Sequence, residues 1–430
     1  MSESKNKPSK PNAQSSKKSN RRQFLAASGA ALAGAAGASR LSAASYERVL
    51  GANDRINVGV IGTGGMGTAH VGHISQGEQP IGKLANADVT AVCDVYQKRR
   101  EYAAELGSAK PYLSHEDLLA SNDVDAVIIA SPEHWHYRHT VDALHAGKDV
   151  YLQKPMTRTF EEAKSLYELI KDSDMVFQLG SQYFQAPNWK RARQLFQQGL
   201  MGHVTISQTS YCRNNPEGEW NYDIDEEAEP GKNLDWNRFL GSLPYVDYDP
   251  EYYFRWRKYR RFSGGIITDL LPHQIHCLSY VLGAEFPRKV SCIGGQYLHH
   301  DRTVGDTTVM TVEFESSTMI VAGSTINETG LENLIRGHRG NMFVAGNSVR
   351  MVPERVYAEE FDPVEERLEP AEMGENQVHV LEWLNCIREG NEPTWSVEPA
   401  FKVMTAVAMA EESYFSGRTL HFDPETLEVS

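Results

Sequence analysis

The sequence predicts an α/β protein in two parts, a doubly wound parallel sheet followed by an α+β domain with a large, mostly antiparallel open sheet. A short apolar strand that runs into a glycine-rich turn, residues 56–67, is the first observation. The second is the alternation of strand and helix patterns from Arg55 onward, which is typical of parallel βαβ units. After about residue 200, strands with alternating polarity dominate, as in a sheet with one solvated face.

The glycine-rich turn, Gly62-Thr63-Gly64-Gly65-Met66-Gly67, predicts a dinucleotide site in a Rossmann domain. Gly62 allows a tight turn, and Gly64 removes the Cβ that would block a pyrophosphate. Gly67 lets the following helix pack close to the strand, and the N–H groups of that helix point at the phosphates. An ordinary α/β turn is the alternative interpretation, since glycines cluster in many loops.

The second predicted strand, residues 89–93, ends at Asp94. A carboxylate at this position bonds a ribose 2′-hydroxyl and repels a 2′-phosphate, which favours NAD as the cofactor. Lys98, Arg99 and Arg100 follow closely and could serve a phosphate, so NADP stays open. The segment 76–86 between the glycine turn and this strand has the composition of an inserted loop.

The remaining elements follow from periodicity and from turn residues. In the first domain we expect helices at 97–106, 115–120, 137–146, 160–171 and 189–198, and strands at 110–112, 124–130, 149–152 and 175–179. In the second we expect strands at 204–212, 289–298, 307–315, 318–327, 341–345 and 349–352, and helices at 265–282, 376–388 and 398–416. The predicted domains are therefore 54–200 and 201–430, preceded by a tail at 1–45.

Composition excludes several classes of partner. A formal net charge of −14 over 430 residues argues against nucleic acid and anionic membrane surfaces. The body of the chain has no apolar run of transmembrane length, so we expect no stable membrane insertion of the mature chain. The five cysteines are scattered and form no C-x-x-C, which indicates neither a disulfide framework nor a zinc site.

The N-terminus is typical of an export signal. A Lys/Ser/Pro-rich stretch, residues 1–20, precedes Arg21-Arg22-Gln23-Phe24-Leu25 and a run of small uncharged residues at 26–38. This pattern predicts a twin-arginine signal and a periplasmic protein that crosses the membrane already folded. The alternative is a flexible basic tail with an alanine-rich helix.

Five motifs in this order resemble the Gfo/Idh/MocA family, NAD(P)-dependent oxidoreductases that act on sugars and cyclitols. They are the glycine turn, Ser131-Pro132 with His136, Gly147-Lys148-Asp149-Val150, Gln153-Lys154-Pro155, and Ser263-Gly264-Gly265 with Asp269 and His273. The resemblance extends from Ile56 to the C-terminus and is greatest for the twin-arginine-led branch. It implies that Lys154 reaches the substrate hydroxyl and the nicotinamide, and that Asp269 and His273 are the acid and histidine of the substrate domain. Gln153 stands where the family usually has glutamate, and an amide can still bond a ribose hydroxyl.

The spacing of Asp269 and His273 supports a catalytic role. Residues four apart lie on one face of a helix, and a histidine with an ordinary pKa near ~6.5 suits a general base. Asp269 would orient that histidine or bind an adjacent hydroxyl. A surface Asp–His pair and an ordinary lysine at position 154 are the alternatives. Although His276 completes a pattern that resembles a metal triad, we predict no metal.

The other predicted site residues flank these. Ser131, His136 and Gln153 are expected at the cofactor, together with Lys154. Tyr253 and Arg257 belong to an aromatic and arginine-rich segment that could form a sugar-binding arm or an oligomer contact. The antiparallel sheet could also bury a face in a homo-oligomer.

Three functional hypotheses follow from these patterns. The first is a dehydrogenase acting on a secondary hydroxyl of a sugar, glycoside or cyclitol, in which Lys154 and His273 handle the proton. Because an exported enzyme has no free nicotinamide pool, the second is a redox-neutral NAD-dependent glycosidase or sugar oxidoreductase whose cofactor does not dissociate. The third is a non-catalytic sugar-binding protein.

Overall fold

A computed structural model describes residues 54–78 and 80–430 of the chain. The predicted tail and twin-arginine signal lie outside the described residues. Among those that are described, no helix has the length and apolar character needed to cross a membrane.

The first domain is built on a parallel sheet of six described strands in the order β3-β2-β1-β4-β5-β6. The strands are β1 (Ile56–Ile61), β2 (Ala87–Cys93), β3 (Lys110–Tyr112), β4 (Ala126–Ile129), β5 (Asp149–Gln153) and β6 (Phe177–Gly180). The helices are α1 (Gly65–Ser75), α2 (Ile81–Ala85), α3 (Gln97–Gly107), α4 (His115–Leu119), α5 (Glu133–His145), α6 (Phe160–Ile170) and α7 (Pro187–Phe196). Strand order reverses between β1 and β4, and their pairing brings Ile61 beside Ile129, so the turns after both strands open at one edge.

The second domain carries a sheet of ten described strands in the order β14-β13-β12-β11-β7-β10-β9-β8-β15-β16. The strands are β7 (Val204–Cys212), β8 (Lys289–Gly295), β9 (Thr307–Glu313), β10 (Thr318–Ser324), β11 (Leu334–Gly337), β12 (Gly340–Ala345), β13 (Ser348–Pro353), β14 (Val364–Arg367), β15 (Leu420–Asp423) and β16 (Glu428–Val429). The pairs are antiparallel except for β7 with β10, which is parallel. The predicted fold class is confirmed.

The helices of the second domain are α8 (Trp236–Leu240), α9 (Pro250–Phe254), α10 (Leu271–Leu282), α11 (Glu375–Glu389) and α12 (Val397–Ser416). The predicted helix at 265–282 is divided, because residues Ile266–Leu270 form a π-helical turn before Leu271 and Pro272 begin α10. Asp269 therefore lies in the π-helical turn, whereas His273 lies in the regular helix α10.

Two further expectations from the sequence differ from the structure. The segment expected to be an inserted loop contains α2, whose Ile81 and Ala85 are buried in the first domain's core. The strands β11, β14, β15 and β16 were not expected, because they are two to four residues long and too short for a period of two to be recognised.

The last helices return to the first domain. Val380, Trp383 and Leu384 of α11 are fully buried in the same apolar cluster as Val58 and Val60 of β1. Hydrogen bonds also join this part of the chain to the parallel sheet. The Leu179 N–H at the edge strand β6 donates to the Trp395 carbonyl (2.8 Å), and the Leu179 carbonyl lies 2.9 Å from His379 Nε2. The segment after residue 201 therefore completes the core of the nucleotide domain.

Candidate active site

The glycine turn after β1 is shaped by backbone contact. Gly62 has φ +86°, and a Cβ there would lie 2.6 Å from the Ser131 amide nitrogen. A Cβ on Gly67 would lie 1.8 Å from the Gly62 carbonyl oxygen, so α1 can approach β1 only with glycine there. By contrast, among the described residues a Cβ on Gly65 would meet nothing within 4 Å, and one on Gly64 would meet only Arg99 Nη1, at 3.9 Å. Gly64 and Gly65 thus face open space.

That space is a cavity of about 450 Å³ at the carboxyl edge of the parallel sheet. The predicted cofactor residues that line it are Gly62, Gly64, Gly65, Met66, Asp94 and Ser131. No described side chain caps the first N–H groups of α1, since Gly64 precedes the helix. An open glycine cradle at an uncapped helix N-terminus fits a pyrophosphate.

Asp94 lies on the wall of this larger cavity and is fixed by the turn itself. Its Oδ2 accepts from the Thr63 amide (2.8 Å) and its Oδ1 from the Tyr96 amide (2.9 Å). The second contact of each oxygen is long, from the Thr63 hydroxyl to Oδ2 (3.4 Å) and from the Tyr253 hydroxyl to Oδ1 (3.5 Å), so a ribose hydroxyl can replace it. Thr63 therefore shapes the site through Asp94 and does not itself line the cavity.

The basic residues that could have served a 2′-phosphate are largely engaged elsewhere. The Lys98 ammonium pairs with Asp225 (2.8 Å) and Glu227 (2.7 Å), and Arg100 Nη1 donates to the Asp94 backbone carbonyl (2.6 Å). Arg99 does line the larger cavity, but its Nη1 lies 3.4 Å from the Tyr253 hydroxyl. The donor set therefore fits NAD.

A smaller cavity of about 190 Å³ adjoins the first, and both are lined by Met66, Ala130, Ser131, Tyr222, Trp256 and Arg257. Lys154 comes directly after β5 and lines this smaller cavity. Its ammonium donates to Oδ1 (2.7 Å) and to the backbone carbonyl (2.5 Å) of Asp269, which leaves one N–H for a ligand. The structure thus brings Lys154 and Asp269 into direct contact across the two domains.

Asp269 is the hub of the smaller cavity. In addition to Lys154, its carboxylate accepts from Arg257 Nε (3.0 Å) and Trp220 Nε1 (3.2 Å). Burial alone would raise the pKa of this carboxyl, but the Arg257 guanidinium and the Lys154 ammonium outweigh it and hold the pKa well below its usual range. Asp269 is therefore a permanent anion.

His273 lines the same cavity but is not oriented by Asp269. Its ring stacks on Tyr183, with the centroids 4.4 Å apart, and among the described residues neither ring nitrogen has a hydrogen-bond partner. Burial, helped by the Lys154 charge, lowers the pKa of His273 well below its ordinary value. The ring is neutral at pH 7 and can accept a proton, and its pKa lies below the ordinary value expected from the sequence. Of the two roles expected for Asp269, binding a hydroxyl beside His273 stays a prediction.

Other predicted residues have different partners from those expected. Gln153 lines the smaller cavity, but its amide nitrogen bonds His70 Nε2 at 2.7 Å. His136 also lines it and has both ring nitrogens beside backbone carbonyls, those of Pro155 (2.6 Å) and Ser131 (2.8 Å). Its contacts hold the loop ends that carry Lys154 and Ser131.

Tyr253 and Arg257, which the sequence placed together in a possible sugar-binding arm, differ in the cavities that they line. Arg257 lines both cavities, whereas Tyr253 lines only the larger one, where its hydroxyl lies 3.5 Å from Asp94 Oδ1. Its side chain is buried, so the structure places Tyr253 on the cofactor side. Sequence alone could not separate the two, because α9 ends at Phe254 between them and the chain changes direction.

Several polar and aromatic residues of the smaller cavity were not recognised from the sequence. They include Glu133, Tyr183, Arg213, Trp220 and Tyr222. Tyr222 and Trp220 belong to an irregular loop, in which Trp220 has φ +65° and only its acidic, Pro/Gly-rich composition was visible. Glu133 could have been noticed as a carboxylate that directly follows the Ser131-Pro132 pair.

A metal centre does not form from the described side chains, none of which gather as three or more His, Cys, Asp or Glu around a common point. His276 Nδ1 lies 2.6 Å from the Pro272 carbonyl, and its ring packs edge-on against Trp395. It does not line the smaller cavity with Asp269 and His273.

Two family models match the chain. Residues 56–181 match the NAD-binding Rossmann fold of the Gfo/Idh/MocA oxidoreductase family, and residues 238–422 match its C-terminal alpha/beta domain. The matches cover both domains of the described structure.

Curated relatives and solved structures agree with this. Levoglucosan dehydrogenase of Pseudarthrobacter phenanthrenivorans is 25% identical over 232 residues, 53% of this chain and 51% of that protein. Glycosyl hydrolase family 109 protein 2 of Shewanella sp. strain MR-4 is 34% identical over 132 residues, 28% of this chain and 27% of that protein. The chain spans about half the length of the curated relatives it matches. A levoglucosan dehydrogenase structure in complex with NADH and levoglucosan superposes with a TM-score of 0.67 at 18% identity, covering 85% of this chain and 99% of that one.

Proposed function

Because the chain belongs to the Gfo/Idh/MocA oxidoreductase family and begins its described fold with an NAD-binding Rossmann domain, we propose that it oxidises a secondary hydroxyl of a sugar, glycoside or cyclitol. The observation that carries this proposal is the meeting of Lys154, Asp269 and His273 in one cavity that opens into the glycine-lined cavity. NAD, held by the glycine turn and Asp94, supplies a hydride acceptor when bound.

The side chains around the smaller cavity divide the proton work. Lys154 has one N–H left for the hydroxyl oxygen, so it can orient that oxygen and stabilise the negative charge that develops as the proton leaves. His273 is neutral, and its Nδ1 has no hydrogen-bond partner among the described residues, so it can take the proton. Asp269 holds the Lys154 ammonium in place through two hydrogen bonds, and it is a positioning residue in this scheme.

Purified protein tests the proposal directly. Turnover is measured as NADH absorbance with a panel of sugars, glycosides and cyclitols, with Lys154→Met and His273→Gln as variants. We expect both variants to retain NADH binding, measured by fluorescence, and to lose kcat by about 10²–10⁴-fold, the range for a lost proton-transfer group. Full activity in His273→Gln would contradict the role given to the imidazole.

A second candidate is a redox-neutral reaction, such as glycoside cleavage, that returns the cofactor to its starting state. The similarity to a glycosyl hydrolase family 109 protein favours it, since hydrolysis has no net redox change. It predicts that nicotinamide remains bound after dialysis and is released only on denaturation. Turnover that requires added NAD would favour the simple dehydrogenase instead.

A further inference from the structure

Two carboxylates line the smaller cavity, and each accepts several hydrogen bonds from the protein. Asp269 accepts from Lys154, Arg257 and Trp220. Glu133 accepts from Ser263 Oγ (2.7 Å) and Thr268 Oγ1 (2.7 Å) and is almost completely buried. Asp269 Oδ1 thus accepts from two protein donors, and Asp269 Oδ2 and Glu133 Oε1 each accept from one. The donors that face the cavity therefore distinguish one ligand from another more sharply than these acceptors do.

Arg257 supplies the unmatched donors. Its Nε bonds Asp269, but within the described part of the chain its two terminal nitrogens donate no hydrogen bond. The two terminal nitrogens of the guanidinium form a planar fork. The guanidinium carbon lies 4.2 Å from the ring centre of Trp256, and this contact holds the plane of the fork. A fixed guanidinium with two free N–H groups matches the two oxygens of an anionic group.

The Arg257 guanidinium lies close to the proposed reacting centre at Lys154. Asp269 Oδ1 accepts from both Lys154 Nζ and Arg257 Nε, so one carboxylate oxygen separates the proposed hydroxyl site from the anchored end of Arg257. Arg213, held by Glu219 (2.7 Å), adds another cation to the cavity wall. Three of the lining side chains are therefore cations: Lys154, Arg213 and Arg257.

We propose that the substrate is a sugar acid, whose carboxylate binds the Arg257 fork while a hydroxyl of the same molecule lies at Lys154 and His273. This inference rests on the proposed function and narrows its substrate class. The carboxylate would fix the ring in the cavity and determine which hydroxyl reaches Lys154.

The cofactor pyrophosphate is the other source of paired anionic oxygens, because Arg257 also lines the larger cavity. The pyrophosphate already has the glycine turn and the uncapped N–H groups of α1. Arg257 is instead tied to Asp269, on the side of Lys154. The substrate is therefore the better match for the fork.

The test compares matched sugars on the full-length protein with its cofactor: glucose with glucuronate, galactose with galacturonate, and their methyl glycosides. We expect kcat/KM to be at least about tenfold higher for the acid in a pair, as for a hydrogen bond to a charged partner. Equal or better turnover of the neutral sugars would overturn the inference and leave the proposed function standing. Turnover of neither class would overturn both.

Variants locate the effect. Arg257→Gln should reduce the acid-to-neutral ratio of kcat/KM by about 10- to 100-fold, and Arg257→Lys, which keeps the charge but not the fork, by less. Arg191→Gln is the matched control, since this arginine pairs with Glu366 and lines neither cavity. The NADH dissociation constant is measured for each folded variant. Loss of NADH affinity in Arg257→Gln with an unchanged ratio would assign the fork to the pyrophosphate and overturn the inference.

Discussion

Lys154 donates to two different atoms of Asp269, the carboxylate Oδ1 and the backbone carbonyl. The first residue follows a strand of the nucleotide domain, and the second lies in the π-helical turn of the substrate domain. The reacting centre is therefore created only where the two domains meet. Glu133 strengthens the same junction from α5, because it binds Ser263 and Thr268 on either side of the glycines that precede Asp269.

Asp269→Asn should damage both catalysis and stability. The amide removes the only carboxylate that bonds both Lys154 and Arg257 in the described structure, leaving two partly buried cations side by side. Breaking a buried ion pair on one side costs about 3–5 kcal/mol, which we expect as a lower free energy of unfolding in urea. At temperatures where the variant is folded, kcat should fall by about 10²-fold or more while NADH affinity is retained. Wild-type stability in this variant would contradict the role of Asp269 as a shared counter-ion.

Trp220→Phe tests whether the strained loop orients Asp269. The indole Nε1 donates to Asp269 Oδ2, and the residue is held at φ +65°, a conformation that is costly for a bulky side chain. Phenylalanine keeps most of the packing and removes the hydrogen bond, so we expect about 1–2 kcal/mol of lost stability. We also expect a roughly tenfold lower kcat/KM, a loss of ~1.4 kcal/mol. An unchanged kcat/KM would show that Lys154 and Arg257 suffice to fix the carboxylate.

The pH dependence of kcat/KM should reflect the lowered pKa of His273. A neutral imidazole is the active form, and lowering its pKa keeps it neutral as the pH falls through its ordinary value near ~6.5. Activity should therefore persist below that pH and decline only as the pH falls through the lowered pKa. Tyr183→Ala removes the ring stacked on His273 and admits water, so the acid limb should move up toward ~6.5. An acid limb at or above ~6.5 in the wild type would contradict the assignment of His273 as the base.

Two glycine substitutions should separate folding from cofactor binding. Gly62→Ala places a Cβ 2.6 Å from the Ser131 amide at a positive φ, so we expect a large loss of stability. Gly64→Ala meets no protein atom closer than 3.9 Å, so its melting temperature without cofactor should match wild type. Because its methyl group enters the larger cavity, NADH affinity measured by calorimetry should fall at least about tenfold. Wild-type affinity in Gly64→Ala would mean that the pyrophosphate does not approach this position.

The features that could be predicted from the sequence depend on local backbone geometry or on regular period. The glycine turn is one, since the contacts of Gly62 and Gly67 allow no other residue. The order of strands and helices in the first domain is another. The carboxyl ends of parallel strands meet at one edge of a sheet, so the sequence could predict that Asp94, Ser131 and Lys154 lie at that edge.

The features that could not be predicted depend on chain segments brought together by the fold. Trp220 and Tyr222 reach the cavity from an irregular loop with no periodicity. Tyr183 stacks on His273 from a 3₁₀ turn far away in the sequence. The shared bonding of Asp269 could not be derived from its spacing to His273, because the π-helical turn before α10 points its carboxylate toward Lys154 instead.

The burial of Trp383 against Tyr151 of β5 has a consequence for how the protein can be engineered. A Rossmann half that borrows Val380, Trp383 and Leu384 from the far end of the chain cannot be transplanted as a stand-alone module. A chimera that exchanges the substrate domain must contain an α11 whose side chains fit the parallel sheet. Without such a helix, one face of that sheet loses part of its packing. Substitutions in the loops around the smaller cavity are therefore the simpler way to change what this fold binds.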